Sequence, residues 1–479
     1  MEIEELNYKK KKDEESKKKN NIFFFIGIIL LFALVILGIC FFGKPSSQKE
    51  LDFSKGIVLT QDDENSPVNF VLVHVPSKEV FISTLHPAAS LYEGVTEEKA
   101  ISKCYDNLKQ IFRNHGVYVE TVENALARNR TKLEQIAFNS LKYEKYEDKD
   151  DKTTYNDFVS KQFSYYLSDE YKLSIIKALT DDQLLDIVFT QPTMKLKLTN
   201  SNTFCEFQSQ SFNPVGNLVF CRDQQITTKK GVVIGKLKSS QRALENDIMH
   251  TVYNNLNANV IGRIPNGSYL EGGDFFVAKP DLSMCGVGLR TTVGGVNYLM
   301  EKDLLGTDRF AVVYDDEDLD QQRMHLDTYF NILSPKHVIA LDFDQCGKVA
   351  GKNIHRKVYL YSKKKGVNKI KSNNQQIKTE VGEYVLTEYY DDFYAFLNKE
   401  GYQIIKVTHQ EQADYMINFL NIGNNNVLAV NPNLKDKVKD TGVNVIYVPF
   451  QPVLKMFGAM HCATQVSRGK SIDDLIKLK

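Results

Sequence analysis

Four short clusters carry the side chains that could do chemistry together. They are Asp223 at the end of Asn217-Leu-Val-Phe-Cys-Arg-Asp, Glu271 and Asp274 around a Gly pair, His325 and Asp327 in Met-His-Leu-Asp, and Cys462 in Met-His-Cys. Each has an ordinary reading. A lone Cys is most often a small buried hydrophobe. Asp223 could end a strand, Glu271 to Asp274 could form a hairpin loop, and His325 with Asp327 could be the polar face of an exposed strand. Among them three acids, Asp223, Glu271 and Asp327, with His325 and Cys462, suit a guanidinium. That group is planar, cationic and forked, so carboxylates hold it by paired charge-assisted hydrogen bonds. Its central carbon is deactivated by resonance, yet a thiolate is nucleophilic enough to attack it. A His and a further carboxyl can move the protons. Strand alternation over 325–332 would place His325 and Asp327 on one face. Neighbours on an extended chain also alternate sides, so His461 is expected to point away from the side of Cys462.

Other chemistries find little support. The seven Cys, at 40, 104, 205, 221, 285, 346 and 462, include no CxxC, and no HExxH occurs. A disulfide framework, a zinc ribbon and a zincin site are therefore not expected. No GxGxxG follows a strand and no GxxxxGK[ST] is present, so neither a dinucleotide nor a nucleoside triphosphate is implied. No metal or organic cofactor is expected. Sixty basic residues balance sixty acidic ones, which leaves no field to favour nucleic acid.

The elements that must position these groups follow from the pattern. A length of 479 residues, 42% hydrophobic, suits one large globular domain or two to three average ones. Residues 1–21 form a Lys-rich tail. Residues 22–43 carry no charge; at 1.5 Å per residue they reach about 33 Å, enough to span a bilayer core. Seven Lys precede this run, so the N-terminus is expected in the cytosol, with the catalytic domain across the membrane. Residues 44–68 read as a polar tether. Asn129 and Asn266 fit the glycosylation pattern.

Residues 69–75 read as a buried strand, 96–114 as a helix with 100, 101, 105, 108, 111 and 112 on one face, and 117–122 as a second strand. From 123 to 198 there is no Gly and several 3.6-residue periods, which predicts a helical insertion. Beyond 217 short strands alternate with short helices. Strands are expected at 217–222, 231–237, 260–264, 275–278, 283–289, 311–314, 325–332, 338–342, 357–361, 403–407, 427–430 and 443–448. Helices are expected at 240–255, 293–304, 383–400, 411–419 and 471–478. The basic stretch 363–378 reads as a solvated loop. The class is α/β, built of small mixed-sheet modules.

On these motifs the sequence resembles the arginine deiminases of the guanidino-group-modifying (pentein) superfamily. The matching segments are 69–76, NLVFCRD (217–223), SSQRALEND (239–247), LEGGD (270–274), GLRTT (288–292), MHLDTYF (324–330) and HCATQVSR (461–468). The resemblance covers nearly all of 69–479 and implies a five-bladed α/β propeller with an inserted helical domain. It implies Cys462 as nucleophile, Asp223 and Asp327 as the guanidinium clamp, and Glu271 with His325 as the proton-transfer pair. Arg242, Arg290 and Asn217 match positions that bind the substrate's α-carboxylate, and Asp274 is expected to orient its neighbours. The implied reaction is hydrolysis of the amidine C–N bond of L-arginine, or of a related guanidino compound. The family usually has an Arg five residues before the nucleophile, where this chain has Phe457. That departure leaves amidinotransfer and dimethylarginine hydrolysis as alternatives; retained Arg242 and Arg290 disfavour agmatine. A membrane-tethered binding protein on the same scaffold and a Cys–His protease are the rivals of other classes. A homo-oligomer is compatible with the sequence.

Overall fold

A unit of three strands and a helix recurs five times among the described residues. In each, an antiparallel pair is followed by a helix, and the third strand returns parallel to the second strand of the pair. The second unit pairs Gln225–Thr227 with Val232–Ile234 and returns through helix Ala243–Asn255 to Val260–Arg263. The third uses Phe275–Lys279, Leu282–Val287, helix Val293–Glu301 and Arg309–Tyr314; Lys357–Lys363, Tyr384–Tyr390 and Glu380–Val381 widen its sheet. The fourth uses Phe330–Ile332, His337–Leu341, helix Phe393–Lys399 and Gln403–Val407. The fifth uses Leu420–Gly423, Asn426–Ala429, helix Leu434–Lys437 and Asn444–Tyr447. The first unit takes its leading strand from the far end of the chain. Gln465–Arg468 pairs antiparallel with Val68–Val73, and helix Glu98–Asn114 leads to the parallel strand Tyr118–Thr121. The computed structural model describes residue 48 and residues 51–475, apart from 148–152, 316, 319, 347, 350–351, 354–355, 365 and 470–471.

Helix Glu98–Asn114 shows how pattern becomes packing. Ile101, Tyr105, Leu108 and Phe112 recur at helical spacing and are buried. They share a core with Val71, Val73, Phe450, Met460 and Cys462, so this face supports the segment that carries the nucleophilic candidate. Each such side chain contributes about 1.5–3 kcal/mol on burial. Gly116, at φ 73°, lets the chain leave the helix in a left-handed turn.

The stretch after the first unit holds helices Val122–Ala127, Arg130–Ser140, Asp157–Tyr166, Asp169–Ala178 and Asp181–Thr190. Thr121, Asn129, Asn156, Ser168 and Thr180 each cap one of them by accepting a backbone N–H; such caps are worth about 1 kcal/mol apiece. The expectation of helices alone omits a three-stranded sheet, Lys142–Lys145, Pro192–Leu198 and Cys205–Phe212.

Other expectations are corrected. Residues 217–222 are consecutive turns, closed by bonds such as Phe220 N–H to Asn217 O (3.1 Å), and not a strand. The expected strand 325–332 begins with the short helix Leu326–Tyr329, because Asp274 accepts the Leu326 N–H at 2.9 Å and starts a turn there. The expected helix 383–400 is strand Tyr384–Tyr390 followed by helix Phe393–Lys399; the Tyr, Val and Thr run favours a strand and Asp392 caps the helix. Of the expected helix 411–419, only the part within His409–Ala413 is helical, and of 471–478 the described residues form the short turn Ile472–Leu475.

The membrane localisation is also corrected. Among the described residues no helix is long and apolar enough to cross a membrane. The longest, Glu98–Asn114, has 17 residues and one strongly charged face. The expected tail at 1–21 and anchor at 22–43 lie outside the described residues.

Arg468 secures the return of the last strand to the first unit. It is fully buried, and its guanidinium donates to Glu64 Oε2 (2.9 Å) and to the carbonyls of Glu64 (3.0 Å) and Ser66 (3.2 Å). Removing one partner of a buried ion pair strands the other charge. Glu64→Ala is therefore expected to destabilise the fold by about 3–5 kcal/mol in urea unfolding. A loss below about 1 kcal/mol, the range of an exposed pair, would contradict this role for the ion pair.

Candidate active site

Each unit supplies the site from the few residues just ahead of its leading strand. Asp223 precedes Gln225–Thr227, Glu271 and Asp274 precede Phe275–Lys279, and His325 with Asp327 precedes Phe330–Ile332. Asn418 precedes Leu420–Gly423, and Cys462 precedes Gln465–Arg468. These segments are tied to one another in a closed circuit. Arg222 N–H donates to Cys462 O (3.0 Å) and Gly272 N–H to Asp223 O (3.0 Å). Leu326 N–H donates to Asp274 Oδ1 (2.9 Å) and Asn418 Nδ2 to Asp327 O (3.2 Å). Asn418 Oδ1 then accepts the N–H groups of His461 (3.1 Å) and Cys462 (3.2 Å).

The Gly pair is required by this convergence. A Cβ on Gly272 would lie 1.9 Å from Arg222 O, and one on Gly273 would lie 2.6 Å from His325 Nδ1. The motif around Glu271 is thus a close approach of backbones and of one imidazole ring, and not a free hairpin loop.

Cys462, His325, Asp223, Arg242, Arg290 and Asn217 line one pocket, with Leu91, Phe220, Met324, Met456 and Phe457 as apolar walls. Cys462 Sγ lies 3.4 Å from Asp327 Oδ2, which also accepts His461 Nδ1–H at 2.8 Å. His461 therefore does not turn away from the site. It shares the Asp327 carboxylate with Cys462 and stacks on Phe276, with ring centroids 5.2 Å apart. His325 Nε2 bonds Glu271 Oε2 at 2.7 Å, while Glu271 Oε1 accepts the Lys238 N–H at 2.8 Å. Glu271 stands behind the imidazole. Asp274 bonds Thr291 Oγ1 (2.6 Å) and Leu326 N–H, so both its oxygens hold the frame.

Arg242 differs most from expectation. Its guanidinium donates to Asp223 Oδ2 (2.8 Å), to Glu245 and to Asn217 O (3.1 Å). A single Nη1 N–H is left for any ligand. Arg290 is half-buried and donates to Gln321 (2.9 Å). Asn217 Nδ2 donates to Ser90 O (3.0 Å).

Burial and charge set the protonation pattern. Burial alone would lower the His325 pKa, but Asp223, Glu271 and Asp274 outweigh it and raise it to about 10. Burial would raise Glu271, yet the His325 hydrogen bond and charge bring it down to about 2. Burial lifts Asp274 to about 7. Burial, then Asp327 and Asp223, push the Cys462 thiol well above its ordinary range. Burial and Arg222 lower His461, so it donates Nδ1–H to Asp327 as a neutral ring.

Two carboxylate oxygens here, Asp223 Oδ1 and Asp327 Oδ1, are buried without a hydrogen-bond partner among the described residues, as is His325 Nδ1. His325 Nδ1 and Asp223 Oδ1 are 3.8 Å apart, too far for a direct bond. Asp223, Glu271 and His325 also form the one group among the described residues with ligand atoms close enough for a metal ion.

Phe457 sits at φ 73°, a left-handed conformation strained for a bulky side chain. It and Cys462 also line a second pocket, with Glu93, Thr328, Gln412, Tyr415 and Asn418. The sequence reading missed Asn418; its only signal is its place ahead of a leading strand.

The chain belongs to the arginine deiminase family, whose sequence model matches residues 89–468. Among solved structures it is similar to DDAH from Pseudomonas aeruginosa complexed with citrulline, at 12% identity and TM-score 0.46, covering 84% of this chain and 99% of that one. The N-terminal domain of ArgZ, an arginine dihydrolase from Cyanobacteria bound to substrate, is 14% identical with TM-score 0.47, covering 84% and 99%. Unliganded AgrE is 12% identical with TM-score 0.47, covering 83% of this chain and 39% of that longer one. No curated protein matches the sequence.

Two outcomes follow from the geometry. Gly273→Ala drives a methyl into the His325 ring and should destabilise by about 1–3 kcal/mol; an unchanged urea midpoint would contradict the contact. His325 holds its proton to about 10 when folded against 6.5 ordinarily, so its contribution to stability is full below pH 6.5 and is lost as pH rises through about 10. Between those pH values the urea midpoint of wild type should fall more than that of His325→Asn. Parallel curves would contradict the raised pKa.

Proposed function

We propose that the chain hydrolyses the guanidinium of L-arginine to L-citrulline and ammonia, with Cys462 as nucleophile. The observation that carries this reading is the pair of orphaned carboxylate oxygens, Asp223 Oδ1 and Asp327 Oδ1, on the two acids that act on Cys462. They offer two buried acceptors to a forked cation. Family membership supports guanidino-group hydrolysis as the general activity, and the neighbours complexed with citrulline or with substrate are consistent with it.

The residues divide the work as follows. Asp223 and Asp327 hold the guanidinium nitrogens beside the sulfur. The bound cation opposes the effect of the two acids and favours the thiolate, whose proton leaves along the Asp327 contact. The thiolate attacks the guanidinium carbon. Protonated His325, oriented by Glu271, gives its proton to the departing amine, and ammonia leaves an S-alkylthiouronium on Cys462. The imidazole, now neutral, takes a proton from the water that attacks the adduct. Collapse expels the thiolate and releases citrulline. Asp274 keeps the turn that carries His325 and Asp327 in place. Arg290, the remaining Arg242 N–H and Asn217 are assigned to the α-carboxylate.

In this reading the five units close into a five-bladed α/β propeller with the site at its axis, and the stretch 123–198 is an insertion in it. The circuit of hydrogen bonds and the return of Gln465–Arg468 to the first unit support that arrangement.

A second reading has its own observation. The pocket beyond Phe457 also reaches Cys462, which would suit a substituent on the guanidinium, as in a methylated arginine. The test is an assay of ammonia, methylamine and citrulline release from L-arginine, agmatine and methylarginines. L-Arginine should be turned over, and Cys462→Ser should abolish it. Asp223→Asn and Asp327→Asn should each lower kcat/KM about 10–100-fold, the value of one charged hydrogen bond. Release from none of these substrates would sink the proposal; release only from methylarginines would select the second reading.

A further inference from the structure

We infer that Asn418 is a further catalytic residue of this site, whose amide N–H donates to the Cys462 sulfur and stabilises it as a thiolate. This rests on the reading of Cys462 as the nucleophile.

The geometry fixes which end of the amide meets the sulfur. Two backbone N–H groups, of His461 and Cys462, point at one Asn418 atom from 3.1 and 3.2 Å. Donors need an acceptor, so that atom is Oδ1. Nδ2 then faces Cys462 Sγ at 3.1 Å and Asp327 O at 3.2 Å, and both are acceptors. The side chain is buried. It thus bridges the segment that carries Asp327 and the segment that carries the nucleophile, and it touches the reacting atom.

The sulfur needs such a donor. Burial, Asp327 and Asp223 all oppose its negative charge, while the Asn418 hydrogen bond and, after it, a backbone hydrogen bond at Ala459 act the other way. His461 faces Asp327 as a neutral ring, and His325 is paired with Glu271. Arg222 donates its Nε–H to the His461 carbonyl at 3.2 Å and not to the sulfur. Tyr415 lines the neighbouring pocket and donates to Leu454 O at 3.1 Å. The amide stays neutral at every working pH, so it favours the thiolate without adding a charge that would repel a cationic substrate. Its position follows the same rule as the others. It stands just ahead of the leading strand of the fifth unit, the one unit for which the motifs named no residue.

The test is the pH dependence of Cys462 alkylation by iodoacetamide in the full chain, followed on the Cys462 peptide by mass spectrometry. Asn418→Ala should move the half-maximal pH up by about one unit, making alkylation about tenfold slower at any pH below it. Asn418→Asp keeps an acceptor for the two backbone N–H groups and so preserves the loop. It removes the donor and should shift the profile the same way even where the Ala variant fails to fold. Profiles that superimpose on wild type would overturn the assignment. If turnover depends on Cys462 and the profiles superimpose, the Asn418 assignment alone falls. If no guanidino compound is turned over yet the profiles shift, the donor role stands and the substrate reading falls.

Discussion

The structure depends on the circuit of hydrogen bonds that joins five short segments ahead of five leading strands. These segments lie outside the regular sheets, and most of their polar groups are buried. Their backbone donors and acceptors must be satisfied by one another, because neither a ladder nor solvent is at hand. Arg222 to Cys462, Asp223 to Gly272, Asp274 to Leu326, and Asn418 to both Asp327 and Cys462 meet that requirement. The same bonds set the spacing of the chemical groups. A shift in any one segment would be transmitted to its neighbours, and the Gly pair and the buried Asp274 sit at two of these junctions.

On that frame the electrostatics are deliberately incomplete. Glu271 engages one nitrogen of His325 and leaves Nδ1 unpartnered, and Asp327 meets a neutral His461. Arg242 engages one oxygen of Asp223. The remaining oxygens of Asp223 and Asp327 are buried and unpartnered. An unpaired polar group in a low-dielectric site is destabilising until something meets it. A planar cation would meet both oxygens at once, and would make the thiolate more accessible at the moment of need. Binding and activation of the nucleophile would then be one event.

Much of this was legible in the sequence, and the reasons for the rest are physical. Cys462, Asp223, Glu271, His325 and Asp327 stand in short dense motifs, because turns that bring backbones so close tolerate few residue types. Strands such as Gln403–Val407 showed as β-branched runs, whereas Gln225–Thr227, at three residues, is too short to set a period. His325 and Asp327 were grouped on strand alternation, whereas the chain turns as a short helix from Leu326 and not as a strand. The engagement of Arg242 by Asp223 and Glu245 is a tertiary pairing with no local signature. Asn418 was hidden because 411–419 reads as amphipathic helix, while only its first part forms one.

The central claim is that a guanidinium held by Asp223 and Asp327 is attacked by Cys462. Its most direct test is rapid acid quenching during turnover, followed by mass spectrometry of the peptide carrying residue 462. The account predicts a transient adduct on Cys462 equal in mass to the substrate less ammonia, formed and consumed at rates that support turnover. Steady release of citrulline with Cys462 unmodified throughout, or an adduct on another residue, would contradict it.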